Sequence, residues 1–163
     1  MKDLLLLRHA KSSWDDKSLD DYDRPLNGRG ERAAPQIGMI MRERQVVPDI
    51  VLCSPAKRTR QTARLALGAA QGDAEIIFDD RIYLAAGFTL MEVLSQLSRQ
   101  CQVALLIGHN PGLEDLLESL TGSSYQMPTA ALAFVRLEVK SWNNLCLGSG
   151  ELLWLVKPKD ILG

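Results

Sequence analysis

Histidine is scarce in this sequence: two residues in 163, His9 and His109. Cysteine is scarce too. Cys53, Cys101 and Cys146 are an odd number at wide spacing and match neither a disulfide framework nor a zinc pattern. Each lies in or beside an apolar run, so each is expected to be a reduced, packed thiol. Charge of either sign is not in surplus. A formal net charge of −1 gives no footprint for nucleic acid and no polybasic anchor for a membrane surface. No apolar stretch reaches the length of a membrane span, and the few leucines before Arg8 are too short for a signal-peptide core. Repeats, low-complexity tracts and linker-like segments are missing as well. These absences leave a cytoplasmic enzyme or binding domain without nucleic-acid or membrane partners. The length predicts one domain over residues 1–163.

What is present begins with Leu4-Leu5-Leu6-Leu7, followed at once by Arg8-His9. Four successive leucines have no amphipathic period and fit a strand buried on both faces, here predicted from Asp3 to Arg8. A cation and an imidazole suit the carboxyl end of such a strand, where parallel α/β sheets hold their ligands. A polar loop follows, and its acidic cluster over 15–23 is expected to be solvated. Asn27 is the expected N-cap of a helix. Pro35 falls within that helix, either as a kink or as a late start.

Further along, 49–53 reads as a second buried strand. Ser54 and Pro55 are expected as N-cap and first residue of a helix that carries Arg58 in its first turn and ends near Gly72. Glu75–Phe78 is a short third strand, and Thr89 to Glu92 spells a capping box. Gln102 to Gly108 is a fourth strand ending at His109-Asn110. Asn110 is the expected N-cap there with Pro111 behind it, and Gly122 closes the helix. Two last strands lie without a full helix between them, which implies an antiparallel edge. The fold class predicted is α/β, a three-layer sandwich with a mostly parallel central sheet of about six strands.

Three strands therefore end in charged or polar residues, and both histidines sit at such ends. In a parallel sheet these ends share one edge, so Arg8, His9, Arg58 and His109 are expected to border one pocket. Two histidines and two arginines without paired carboxylates make a poor metal site, and none is predicted. They make a good anion site, because guanidinium matches phosphate oxygens and keeps its charge. A neutral imidazole among them is a competent nucleophile toward phosphorus.

Leu7-Arg8-His9-Ala10 resembles the Arg-His-Gly signature of the histidine phosphatase (phosphoglycerate mutase-like) superfamily, with Ala10 in place of glycine. Ser54-Pro-Ala-Lys-Arg58-Thr-Arg-Gln-Thr62 resembles its second block, and Gly108-His109-Asn110-Pro111-Gly112 its second-histidine block. Asp23-Arg-Pro-Leu-Asn-Gly-Arg-Gly30 and Met127-Pro-Thr-Ala-Ala131 resemble the SixA-type phosphohistidine phosphatases. The resemblance implies that His9 accepts the phosphoryl group, that Arg8, Arg58 and His109 hold its oxygens, and that no cofactor is needed. It places Ser12 and Asn110 against the substrate, and sets Ser12, Trp14 and Asp15 where mutase-like members carry Ser, Trp and Asn. It implies hydrolysis of phosphohistidine on a protein, such as a phosphotransfer domain or phosphocarrier. A small-molecule phosphomonoesterase and a non-catalytic phosphate-binding module are the alternatives. One family element is missing: Asp79 to Gly87 contains no Glu to serve as general acid, and Asn110 rather than Asp follows His109. Asp15, Asp16 and Asp23 are the loop residues that could replace it.

Overall fold

A computed structural model describes residues 1–162. Six strands, β1 (Lys2–Arg8), β2 (Ile50–Cys53), β3 (Glu75–Phe78), β4 (Val103–Gly108), β5 (Leu132–Leu137) and β6 (Gly150–Val156), form one sheet in the order β3-β2-β4-β1-β5-β6. β1 to β4 are mutually parallel, and β5 runs antiparallel to both β1 and β6. The predicted sandwich and its antiparallel edge are both present.

The leucine run explains why β1 sits in the interior. Leu4 and Leu6 point to one face of the sheet and pack with Leu90, Leu94, Leu113 and Leu117. Leu5 and Leu7 point to the other and pack with Ile37, Met41, Ala63 and Ala66. All four leucines are fully buried, and each contributes about 1.5–3 kcal/mol by leaving water. Helices α1 (Gly28–Glu43) and α2 (Lys57–Ala70) cover the second face; α3 (Gly87–Ser95) and α4 (Gly112–Thr121) cover the first. A one-turn α5 (Lys159–Leu162) follows β6. Among the described residues no helix is long and apolar enough to cross a membrane.

The Asn27 side chain caps α1 by accepting from the Gly30 amide, and α1 runs unbroken through Pro35. The helix starts early and keeps its course because its small residues seat it against α2. A β-carbon on Gly38 would overlap the Ala66 carbonyl, so no larger residue permits this approach. Gly122 closes α4 in the left-handed region, as its lack of a side chain allows.

Several caps differ from expectation. α2 begins at Lys57 rather than at Pro55, because the Ser54 hydroxyl is engaged by the His109 ring and the Ala56 amide. α2 ends with Gln71, not Gly72, in the left-handed conformation. α3 begins at Gly87, two residues before the Thr89 box, with Gly87 pressed against the backbone of α4. Cys53 and Cys101 are buried free thiols, but Cys146 is exposed, in the turn before β6. Burial pushes the Cys53 thiol up to about 12, which removes it as a nucleophile.

Candidate active site

The register of the sheet brings the functional strand ends level. Arg8 of β1 lies beside Gly108 of β4, and Cys53 of β2 beside Ile107. Because β5 runs the opposite way, the segment that precedes it reaches the same edge. The Ala130 amide donates to the Arg8 and His9 carbonyls, with Ala130 held in the left-handed region. A cavity of about 260 Å³ opens here, lined by Arg8, His9, Arg58 and His109 together with residues of the loop after β1. The four residues expected at one pocket are all in it.

His9 forms part of the floor and is 7% exposed. Its Nδ1 lies 2.8 Å from the Ala10 carbonyl oxygen. A carbonyl only accepts, so Nδ1 carries the hydrogen and Nε2 keeps a lone pair. The His109 ring lies 5.3 Å away, centroid to centroid. His109 Nδ1 is 3.3 Å from Arg58 Nη2, and its Nε2 is 2.8 Å from Ser54 Oγ. Guanidinium only donates, so the proton of neutral His109 sits on Nε2 and is donated to Ser54.

Desolvation, reinforced by Arg58, Arg8 and Arg24, pushes His9 down to about 4 despite its bond to Ala10. Desolvation and the charge of Arg58 push His109 down to about 3. Both rings are therefore neutral near pH 7. A histidine that is harder to protonate when folded than when unfolded costs stability as the pH falls below about 6.5, and the loss continues to its folded value. Each histidine is expected to remove about 2 kcal/mol by pH 5. Denaturant titrations between pH 7 and pH 4 check this: His109→Gln should show a shallower loss on acidification than the wild type. Parallel profiles would contradict it.

The cations are fixed by backbone and loop. Arg8 Nη1 donates to the Met127 carbonyl at 3.1 Å, and its Nε is buried without a hydrogen-bond partner among the described residues. Arg58 reaches from the first turn of α2 to Asp21, with Nη1 on the carbonyl at 2.7 Å and Nη2 on Oδ2 at 3.0 Å. Arg24 donates to Asp21 Oδ1 at 2.9 Å, to the Ser13 carbonyl at 3.1 Å and to Ser12 Oγ. Its guanidinium stacks 3.3 Å over the exposed Trp14 ring. Lys11 also lines the cavity. Four cations against one carboxylate make this a site for a multiply charged anion.

Of the other residues expected at the site, Ser12 lines the cavity, but its hydroxyl accepts from Arg24. Asn110 lines it as well, with both ends of its amide engaged: Nδ2 donates to the Met127 carbonyl and Oδ1 accepts from the Glu114 amide. The latter bond is the helix-capping contact expected of Asn110, although Pro111 holds the N-cap position. Asp15, Asp16 and Asp23 are exposed, and none of them lines this cavity. Asp21, Arg24 and Tyr83 are the residues the sequence did not single out. The acidic loop is not simply solvated, because a short 3-10 turn at Asp21–Asp23 turns Asp21 inward. The available signal was Arg24 immediately before Pro25, a lone cation fixed in extended geometry after an acidic run. Among the described residues no group of three or more His, Cys, Asp or Glu is placed to hold a metal ion.

The model of the histidine phosphatase superfamily, branch 1, matches residues 4–83. A protein of Mycobacterium tuberculosis with no assigned activity is 34% identical over 94% of this chain and 100% of its own length. A chloroplastic protein of Arabidopsis thaliana, likewise uncharacterised, is 33% identical over 93% of this chain and 73% of its own. Among solved structures, a protein of Agrobacterium tumefaciens assigned as the phosphohistidine phosphatase SixA superposes with a TM-score of 0.84. It is 29% identical and covers 96% of this chain and 98% of its own. The superfamily match takes in the strand that delivers Arg8 and His9 and the helix that delivers Arg58, and the likeness of the relatives runs nearly end to end. This chain therefore belongs to the histidine phosphatase superfamily, with the architecture of its SixA-type members, and is a phosphatase.

Proposed function

We propose that this phosphatase hydrolyses phosphohistidine on a protein, with His9 as the transient phosphoryl acceptor. One observation carries the reading: a neutral imidazole with a free Nε2 lies on the floor of a cationic cavity whose one lining carboxyl group is held ionised. The phosphoryl group passes from the substrate ring to His9 Nε2 while Arg8 and Arg58 hold its oxygens, and His109, whose one N–H goes to Ser54, keeps Arg58 in place; charge builds on those oxygens, where fixed cations act most strongly. Water then releases inorganic phosphate from His9. The similarity to a protein assigned as SixA supports this substrate class. So do Trp14 and Leu84, exposed on the cavity lining, which offer apolar surface to a protein such as a phosphotransfer domain or phosphocarrier.

The leaving group provides the test. Alkoxides are poor leaving groups at neutral pH, and a positioned proton donor accelerates their departure typically 10²–10⁴-fold. The imidazole of phosphohistidine takes up a proton from solvent near neutral pH and departs without such a donor. Values of kcat/KM should therefore be highest for a phosphohistidine protein, lower for aryl phosphates and lowest for alkyl phosphates. Equal efficiency on alkyl phosphates and phosphohistidine would overturn the assignment and favour a phosphomonoesterase. Binding without phosphate release from any of them would leave a phosphate-recognition module.

A further inference from the structure

Asp21 is out of place for a site that binds phosphate. It is the one carboxylate lining a cavity otherwise rich in cations, and a negative charge there weakens the binding of any phosphate dianion. Its position is nevertheless strongly held. Oδ2 accepts from Arg58 Nη2 at 3.0 Å and from the Tyr83 hydroxyl at 2.6 Å, and Oδ1 accepts from Arg24 Nη1 at 2.9 Å. Partial burial alone would push this carboxyl up. The bonds from Tyr83 and Arg58, with the charges of Arg58 and Arg24, outweigh that and hold it below the usual carboxylate range. A group kept ionised in this way does not donate a proton. It can accept a hydrogen bond from one.

Position decides which hydrogen bond is available. His9, Arg58 and His109 are all less than 10% exposed, whereas the Asp21 side chain is 41% exposed. An in-line displacement by buried His9 Nε2 sends the leaving group outward, toward the side of the cavity where Asp21 and Trp14 meet solvent. We propose that Asp21 selects the leaving group, its carboxylate accepting the N–H of the imidazole that departs from phosphohistidine. The inference rests on the phosphohistidine reading above and names what makes the site prefer that substrate.

The chemistry balances without an acid. The substrate ring carries phosphorus on one nitrogen and a proton on the other. The P–N bond breaks, its electron pair returns to the ring nitrogen, and a bond forms between phosphorus and His9 Nε2. The ring leaves as neutral imidazole, still bearing the proton that faces Asp21. By holding that proton on the ring, the carboxylate keeps the substrate in its reactive form. A phosphate ester presents an oxygen with developing negative charge at the same place, and the same carboxylate repels it. Tyr83 comes from the connection after β3, the stretch that lacks a Glu. Here its hydroxyl donates to Asp21 Oδ2.

The alternative duty for Asp21 is to position Arg58, and one set of measurements separates the two. Asp21→Asn should lower kcat/KM for a phosphohistidine protein about 10- to 100-fold relative to kcat/KM for p-nitrophenyl phosphate, the range expected of one charge-assisted hydrogen bond. It should also tighten inhibition by orthovanadate, because a negative charge has left the cavity. Asp21→Ser, neutral and shorter, should change the ratio in the same direction. If both substrates lose equally and orthovanadate binds more weakly, Asp21 acts only through Arg58 and the proposal is overturned. Failure of the phosphohistidine reading itself shows elsewhere, as a wild-type enzyme that cleaves phosphate esters and leaves phosphohistidine intact.

Discussion

Replacing His9 by alanine is expected to reduce phosphate release by on the order of 10⁴-fold or more, the scale seen when a covalent nucleophile is removed. The prediction follows from two features of the ring. The Ala10 carbonyl fixes the proton on Nδ1, and burial beside three arginines keeps the ring neutral down to about pH 4. A free lone pair is thus present throughout the physiological range. Arg8, Arg58 and Arg24 remain in the variant, so orthovanadate should still bind with near wild-type affinity. Rapid quenching of the wild type with labelled substrate should trap a phosphoenzyme that is labile in acid, as a phosphoramidate is, and the variant should trap none. Substantial turnover by His9→Ala, together with no acid-labile phosphoenzyme in the wild type, would contradict the role given to this ring.

The second large effect is expected at Arg58. Arg58→Ala should lower kcat about 10²–10³-fold, the loss typical when one preorganised donor to a developing oxyanion is removed. Arg58 is 3% exposed and faces both His109 and Asp21, so its loss also releases the loop carboxylate into a cavity with one cation fewer. Arg58→Lys should recover only part of the activity, because a single ammonium cannot reproduce two parallel N–H donors. Kinetics on a variant whose thermal unfolding is close to wild type makes the comparison. An Arg58→Ala enzyme within tenfold of wild type would show that the guanidinium does not touch the reacting phosphoryl group.

Much of this arrangement was legible in the sequence, for a physical reason. Strands buried on both faces must be apolar throughout, so Leu4 to Leu7 and Val103 to Gly108 stand out, and the first polar residues after them mark the sheet edge where ligands bind. Arg8, His9, Arg58 and His109 were expected at one pocket on that basis, and all four line it. Helix starts fared worse at Ser54 and Thr89. A hydroxyl that satisfies a local capping pattern was diverted at Ser54 to a histidine 55 residues away, and at Thr89 tight packing of Gly87 on α4 set an earlier start. The contribution of Asp21 was hidden for a related cause. A loop has no periodicity, and three aspartates within four positions look alike until the backbone turns one of them inward. Tyr83 could not be paired with it, because that bond spans 62 residues.

The position of β1 between β4 and β5 has a consequence for motion. Its backbone amides are bonded into the sheet on both sides and shielded by leucines above and below. Exchange of such amides with solvent deuterium requires the molecule to open globally, whereas loop amides exchange through local openings. The strand that delivers His9 should therefore be among the last segments to take up deuterium, and the exposed stretch from Trp14 to Asp20 among the first. His9 is thus carried at the end of a strand bonded on both sides, and Trp14 on an exposed loop that opens locally. Under the proposed reaction, such a division would hold His9 in place at the base of the cavity while the loop at its mouth adjusts to the molecule bound there.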